Sequence, residues 1–166
     1  LTDKTIRDAN EEYTIASTEV QLTSGNLTVK DIREATQDDL KFSVVNGSLI
    51  VTSSNDTIAI GEGITRIDGT NGQSVSVEID AITGNSGVNV PTEGLDDTIT
   101  IEGAGRRLHI VGGDGYDTVQ FQDEEITTNG EDLTVVAEFV KQEANSSIEA
   151  AAINLNGTDI ALEGTI

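Results

Sequence analysis

Asp97-Thr98-Ile99-Thr100-Ile101 returns as Asp117-Thr118-Val119-Gln120-Phe121, twenty positions further on (97 to 117). Both segments alternate polar with apolar residues, the period-two signature of a strand with one buried face. A looser copy, Asp56-Thr57-Ile58-Ala59-Ile60, lies 41 positions earlier (56 to 97), and Val75-Ser76-Val77 sits where an intermediate copy is expected. A second apolar row, Leu27, Leu49, Ile67, Val88, Leu108 and Ile126, advances in steps of 18 to 22. A unit of about 20 residues made of short strands cannot bury its own apolar side chains. Stacking such units at ~4.8 Å pairs each backbone with the one above and below and aligns the apolar residues in ladders. The reading is therefore an all-β chain: a right-handed parallel β-helix, or β-solenoid, with coils of about 20 residues. It would occupy residues 21–166, after an N-terminal arm or cap over 1–20.

The same alternation runs through Gln21-Leu22-Thr23, Phe42-Ser43-Val44, Val75–Ile79 and Ile160-Ala161-Leu162. Helical periodicity is weak; its best candidates, Asp31–Leu40 and Glu138–Ala152, lack a clean apolar stripe. The rival architecture is a β-sandwich. Asn46-Gly47, Asn71-Gly72, Asn129-Gly130 and Asn156-Gly157 are hairpin signals, because a type I′ turn needs two residues at positive φ. The same dipeptide also makes tight solenoid corners, and a solenoid with a hairpin at one end would use both.

The 166 residues carry 30 Asp and Glu against 9 Lys and Arg, a formal charge of −21. Such a surface repels phosphate backbones and anionic lipid and attracts cations, so nucleic acid is not an expected partner. No apolar run is long enough to cross a bilayer as a helix, so membrane insertion is not expected either. Cysteine is absent, which excludes a disulfide framework, a thiolate zinc site and a cysteine nucleophile. With aromatics at 3%, the core must consist of Val, Ile, Leu and Ala. The acidic, cysteine-free, Gly- and Thr-rich composition points to a secreted bacterial protein, extracellular or at the cell surface.

Gly112-Gly113-Asp114-Gly115-Tyr116-Asp117-Thr118-Val119-Gln120 matches Gly-Gly-x-Gly-x-Asp-x-(large apolar)-x at every fixed position. The segment resembles the calcium-binding nonapeptides of repeats-in-toxin (RTX) proteins. That resemblance implies a turn whose carbonyls and aspartate hold Ca²⁺, with hard oxygen ligands. Here the motif stands alone, with Gly94-Leu95-Asp96-Asp97-Thr98-Ile99 as a degenerate copy. If coils repeat every 20 residues or so, Asp97 stacks on Asp117, with Asp96 and Asp114 on the same edge. The metal set implied is Asp114, Asp117, Asp96 and Asp97 with Gly112, Gly113 and Gly115. The plainer alternative is a Gly-rich corner closed by an Asx hydrogen bond. Stacked aspartates would raise each other's pKa unless a cation lay between them, and Asp56, Asp97 and Asp117 are the expected ladder.

Glu131–Glu138 and Ala152–Leu162 resemble the strand-turn-strand units of haemagglutinin-type repetitive bacterial surface proteins. This implies secretion and a role in adhesion or matrix assembly, with other copies of the chain, neighbouring repeats or surface glycans as partners. No enzyme is expected. His109, the single histidine, alternates with Leu108 and Ile110 and so faces solvent, and no nucleophile or phosphate-loop motif accompanies it. The function expected is a structural or adhesive module stabilised by calcium. The alternative is a calcium-dependent polysaccharide-binding or polysaccharide-lyase domain, with Arg106 and Arg107 over the sugar.

Overall fold

Alternating aliphatic and polar residues form strands throughout the described chain, residues 16–33 and 36–166 of this computed structural model. In order these are β1 (Thr18–Thr23), β2 (Asn26–Asp31), β3 (Asp39–Val45), β4 (Ser48–Ser53), β5 (Ile58–Ile60), β6 (Thr65–Arg66), β7 (Ser74–Glu78), β8 (Val88–Pro91), β9 (Thr98–Ile101), β10 (Leu108–Val111), β11 (Thr118–Phe121), β12 (Ile126–Thr127), β13 (Leu133–Val136), β14 (Phe139–Gln142), β15 (Ile148–Glu149), β16 (Ile153–Asn156) and β17 (Asp159–Leu162). Strands β8, β10, β13 and β16 stack in parallel on one face, and β9, β11, β14 and β17 on the other. Strands β2 and β3 begin these stacks, pairing in parallel with β8 and β9. The architecture is a β-solenoid with coils of about 21 residues and about four turns, as the repeat predicts.

Register places like on like. Leu27, Val88, Leu108, Leu133 and Ile153 form one inward column. Facing it, Leu40, Ile99, Val119, Val140 and Ile160 form another. Below the last coil the members of both columns are at most 1% exposed. Burying each such side chain contributes roughly 1.5–3 kcal/mol, so the aliphatic ladders, with few aromatics, are the main cohesive element.

The N-terminal end is built differently. Ser24-Gly25 (φ 51° and 76°) turns β1 antiparallel onto β2, and Asn46-Gly47 (φ 50° and 81°) turns β3 onto β4. Strand β7 then pairs antiparallel with β4. Val75-Ser76-Val77 is therefore part of an antiparallel cap and not an intermediate coil. Asp56 precedes β5, which pairs with β1, so it does not join the Asp97–Asp117 stack. Of the second apolar row, Val88 and Leu108 stack as expected, but Leu27 lies directly on Val88 because Leu49 belongs to the antiparallel cap and Ile67 to no strand, and Leu133 follows Leu108 in place of Ile126. Asn156-Gly157 joins strands of opposite faces and makes a corner, not a hairpin. The segment 138–152 forms β14, a turn and β15, with no helix. Most of the proposed arm over 1–20 lies outside the described residues.

Corner lengths are traded between coils. The β8–β9 and β10–β11 connections, 92–97 and 112–117, are long, whereas β13 reaches β14 through Ala137 and Glu138 alone. The opposite connections lengthen and carry β12 and β15, which pair in parallel as a small third face. The Gly-rich motif ends where its corner shortens.

Candidate functional site

The long corners bring the two aspartates of the repeat together, and Asp38 and Glu138 extend their row at either end. Asp38, Asp97, Asp117 and Glu138 each stand one residue before the start of a stacked strand. The Asp38 N–H donates to Asp97 Oδ1 (2.7 Å), the Asp97 N–H to Asp117 Oδ1 (2.9 Å) and the Asp117 N–H to Glu138 Oε2 (3.0 Å). The side chains of Asp97, Asp117 and Glu138 thus each reach back one coil and cap a backbone donor that the parallel ladder leaves free. The three aspartates are at most 1% exposed. Their second oxygens, Asp38 Oδ1, Asp97 Oδ2 and Asp117 Oδ2, are buried without a partner.

Burial pushes the Asp97 carboxyl up to about 6; the Asp38 N–H opposes this, and the neighbouring Asp38 and Asp117 charges add to it. Burial also raises Asp117, against the Asp97 N–H and with help from Glu138. It raises Asp38 as well, against the Ser17 and Thr18 hydroxyls and with a contribution from Asp56.

Sequence reasoning missed Asp38 and Glu138. It demanded Thr after the acid, and the structure does not. The broader pattern of acid, any residue, then alternating inward positions fits Asp38-Asp39-Leu40-Lys41-Phe42 and Glu138-Phe139-Val140-Lys141-Gln142 equally well.

All seven residues of the expected metal site lie on this corner, but their oxygens do not converge. Asp117 is committed to Asp97, and its other oxygen lies against Gly112, on the spot a methyl group there would fill. Asp96 Oδ1 accepts the Tyr116 N–H (2.8 Å), and Asp114 is exposed at the tip beside Glu93 and Gly94. A Cβ on Gly113 (φ 91°) would lie 2.5 Å from Thr92 O, and one on Gly115 (φ 131°) 2.8 Å from Leu95 O. These glycines are accounted for by close stacking of two coils. Among the described residues, no group of three or more His, Cys, Asp or Glu is placed to hold a metal ion. The carboxylates as arranged do not by themselves form a Ca²⁺ site.

Arg106 and Arg107 lie at the other end of β10. They pair with Asp80 (3.6 Å) and Asp132 (3.4 Å), away from Asp114 and Asp117. His109 is half-buried on the outward face of β10, where alternation puts it.

The last coil offers a different kind of site. Strands β16 and β17 end their sheets, with no strand beyond them among the described residues. Ile160 and Leu162 are 41% and 40% exposed, whereas Val140 and Gln142 directly beneath are fully buried. Ile153 and Leu155 are likewise half-uncovered above buried Leu133 and Val135. Neither strand carries Pro or Lys, the residues that usually blunt an edge. The final coil therefore presents two rows of open backbone groups around an aliphatic layer. No helix among the described residues is long and apolar enough to cross a membrane. Comparison of the chain with protein-family models, with curated proteins and with solved structures gives no match.

Proposed function

We propose that this chain is a structural module of an extracellular or cell-surface bacterial assembly, in which another copy of the chain or a neighbouring repeat covers β16 and β17. One observation carries this reading: Ile153, Leu155, Ile160 and Leu162 continue buried columns and stand uncovered beside two unpaired strand edges. A neighbouring repeat or a second copy fits there. Antiparallel pairing of β16 with β16 and of β17 with β17 about a two-fold axis would place aliphatic on aliphatic, and β16 brings no charge to the contact. The acidic, cysteine-free composition supports the extracellular setting. Calcium is not required by this reading.

Sedimentation of the purified chain over a concentration series, with electron microscopy, tests it. The expected result is concentration-dependent dimers, abolished by Leu155→Lys and Leu162→Lys, which alter only the terminal layer. Filaments would mean that the open end meets the antiparallel cap of the next copy. A chain that stays monomeric at millimolar concentration sinks pairing between copies.

A further inference from the structure

We infer that the outer face of the sheet formed by β2, β8, β10 and β13 is a binding groove for a neutral polysaccharide lying along the solenoid axis. The inference does not rest on end-to-end pairing. A cleft of about 480 Å³ opens on this face, within the usual range of ligand sites. Its floor is an outward column in strict register: Thr28, Asn89, His109 and Thr134. Asn26, Asn85 and Ser86 line one wall.

Charge sets this face apart. The chain as a whole is at −21, yet the two ionic side chains of the cleft, Arg107 and Asp132, pair at 3.4 Å and cancel. The remaining polar lining consists of amides, hydroxyls and one imidazole. Each of these both donates and accepts hydrogen bonds, as sugar hydroxyls do. An anionic polymer would be repelled by the surrounding acids, and a neutral one would not.

Shape agrees with charge. Two residues along the same strands, Pro91, Val111 and Val136 form a second outward column, with Val136 36% exposed. This apolar strip beside a hydrogen-bonding row suits the C–H face of a pyranose ring, in a chain with neither Trp nor an aromatic platform here. Coils rise by ~4.8 Å, so successive sugar units would meet successive members of the column. A peptide strand lacks this fit, since the backbone groups of these inner strands are already paired within the sheet.

The test is a ¹H–¹⁵N correlation titration with neutral hexaoses of glucose, xylose, mannose, galactose and N-acetylglucosamine, and with a galacturonic acid hexamer. At least one neutral hexaose is expected to shift the amides of Asn89, His109 and Thr134 together. The double variant Asn89→Ala/His109→Ala should weaken that binding about tenfold or more with an unchanged melting temperature. Thr100→Ala, on the opposite sheet, should leave it intact. The proposal is overturned if no neutral hexaose shifts these amides, if the shifts map elsewhere, or if only the acidic hexamer binds.

Discussion

Asp97 has one oxygen satisfied by the Asp38 N–H and the other stranded inside the corner. As a carboxylate it is a buried charge facing Asp38, Asp117 and the Thr92 hydroxyl. As a neutral acid it keeps the N–H bond and sheds the desolvation cost. Its folded pKa of about 6 lies above the ordinary 3.8, so the folded state binds the proton more tightly than the unfolded state does. The resulting stabilisation is complete below about pH 4 and is lost as pH rises through 6. The shift corresponds to roughly 3 kcal/mol, and Asp38 and Asp117 are displaced in the same sense. The melting temperature should therefore rise as pH falls from 7.5 to 5, and Asp97→Asn should flatten that rise. A wild-type melting temperature that falls steadily over this interval would refute the assignment. Asp97 on Asp117 was legible from their twenty-residue spacing. Asp38 was hidden because the antiparallel cap, 48–78, intervenes between its strand and the next coil.

At the scale of the strand, position within a column should govern the cost of removing a side chain. Ile101 and Leu162 belong to one column, which runs through Phe42, Ile101, Phe121, Gln142 and Leu162. Ile101 is fully buried between coils, while Leu162 caps the column at 40% exposure. Ile101→Ala should cost about 2–5 kcal/mol by urea denaturation. Leu162→Ala should cost less than half as much, since its cavity opens to water. Equal costs would mean that the terminal layer is already covered. Alternation made β3, β9, β11 and β17 readable, whereas β14 lay inside the helix candidate 138–152; it could not separate parallel coils from the cap, because β4 and β7 alternate just as β9 and β11 do. Asn46-Gly47 announced its hairpin, whereas Ser24-Gly25 adopts the same pair of positive φ angles without the usual sequence signal. The regular repeat fades after Asp117 because corner 137–138 is shorter than 112–117, and the residues saved reappear on the β12–β15 face.

Over the whole molecule, 30 acids against 9 bases leave most carboxylates without a cationic partner. Among the described residues, ion pairs such as Lys41–Glu102 at 3.2 Å are substantially exposed and contribute little. Self-repulsion then dominates the long-range electrostatics and is relieved by screening, whose length falls from ~10 Å at 0.1 M salt to ~3 Å at 1 M. The melting temperature should climb with NaCl across this range; a decline would show that attractive pairs prevail. Divalent cations add a sharper discrimination. If the corner at Gly112–Asp117 is closed by backbone capping, MgCl₂ and CaCl₂ at equal ionic strength should stabilise the chain alike. A calcium-specific rise lost in Asp117→Ala but kept in Asp123→Ala would instead require the carboxylates of Asp96, Asp114 and Asp117 to turn away from their N–H partners and solvent toward a shared ion. The RTX likeness would then describe a site formed only when that ion binds.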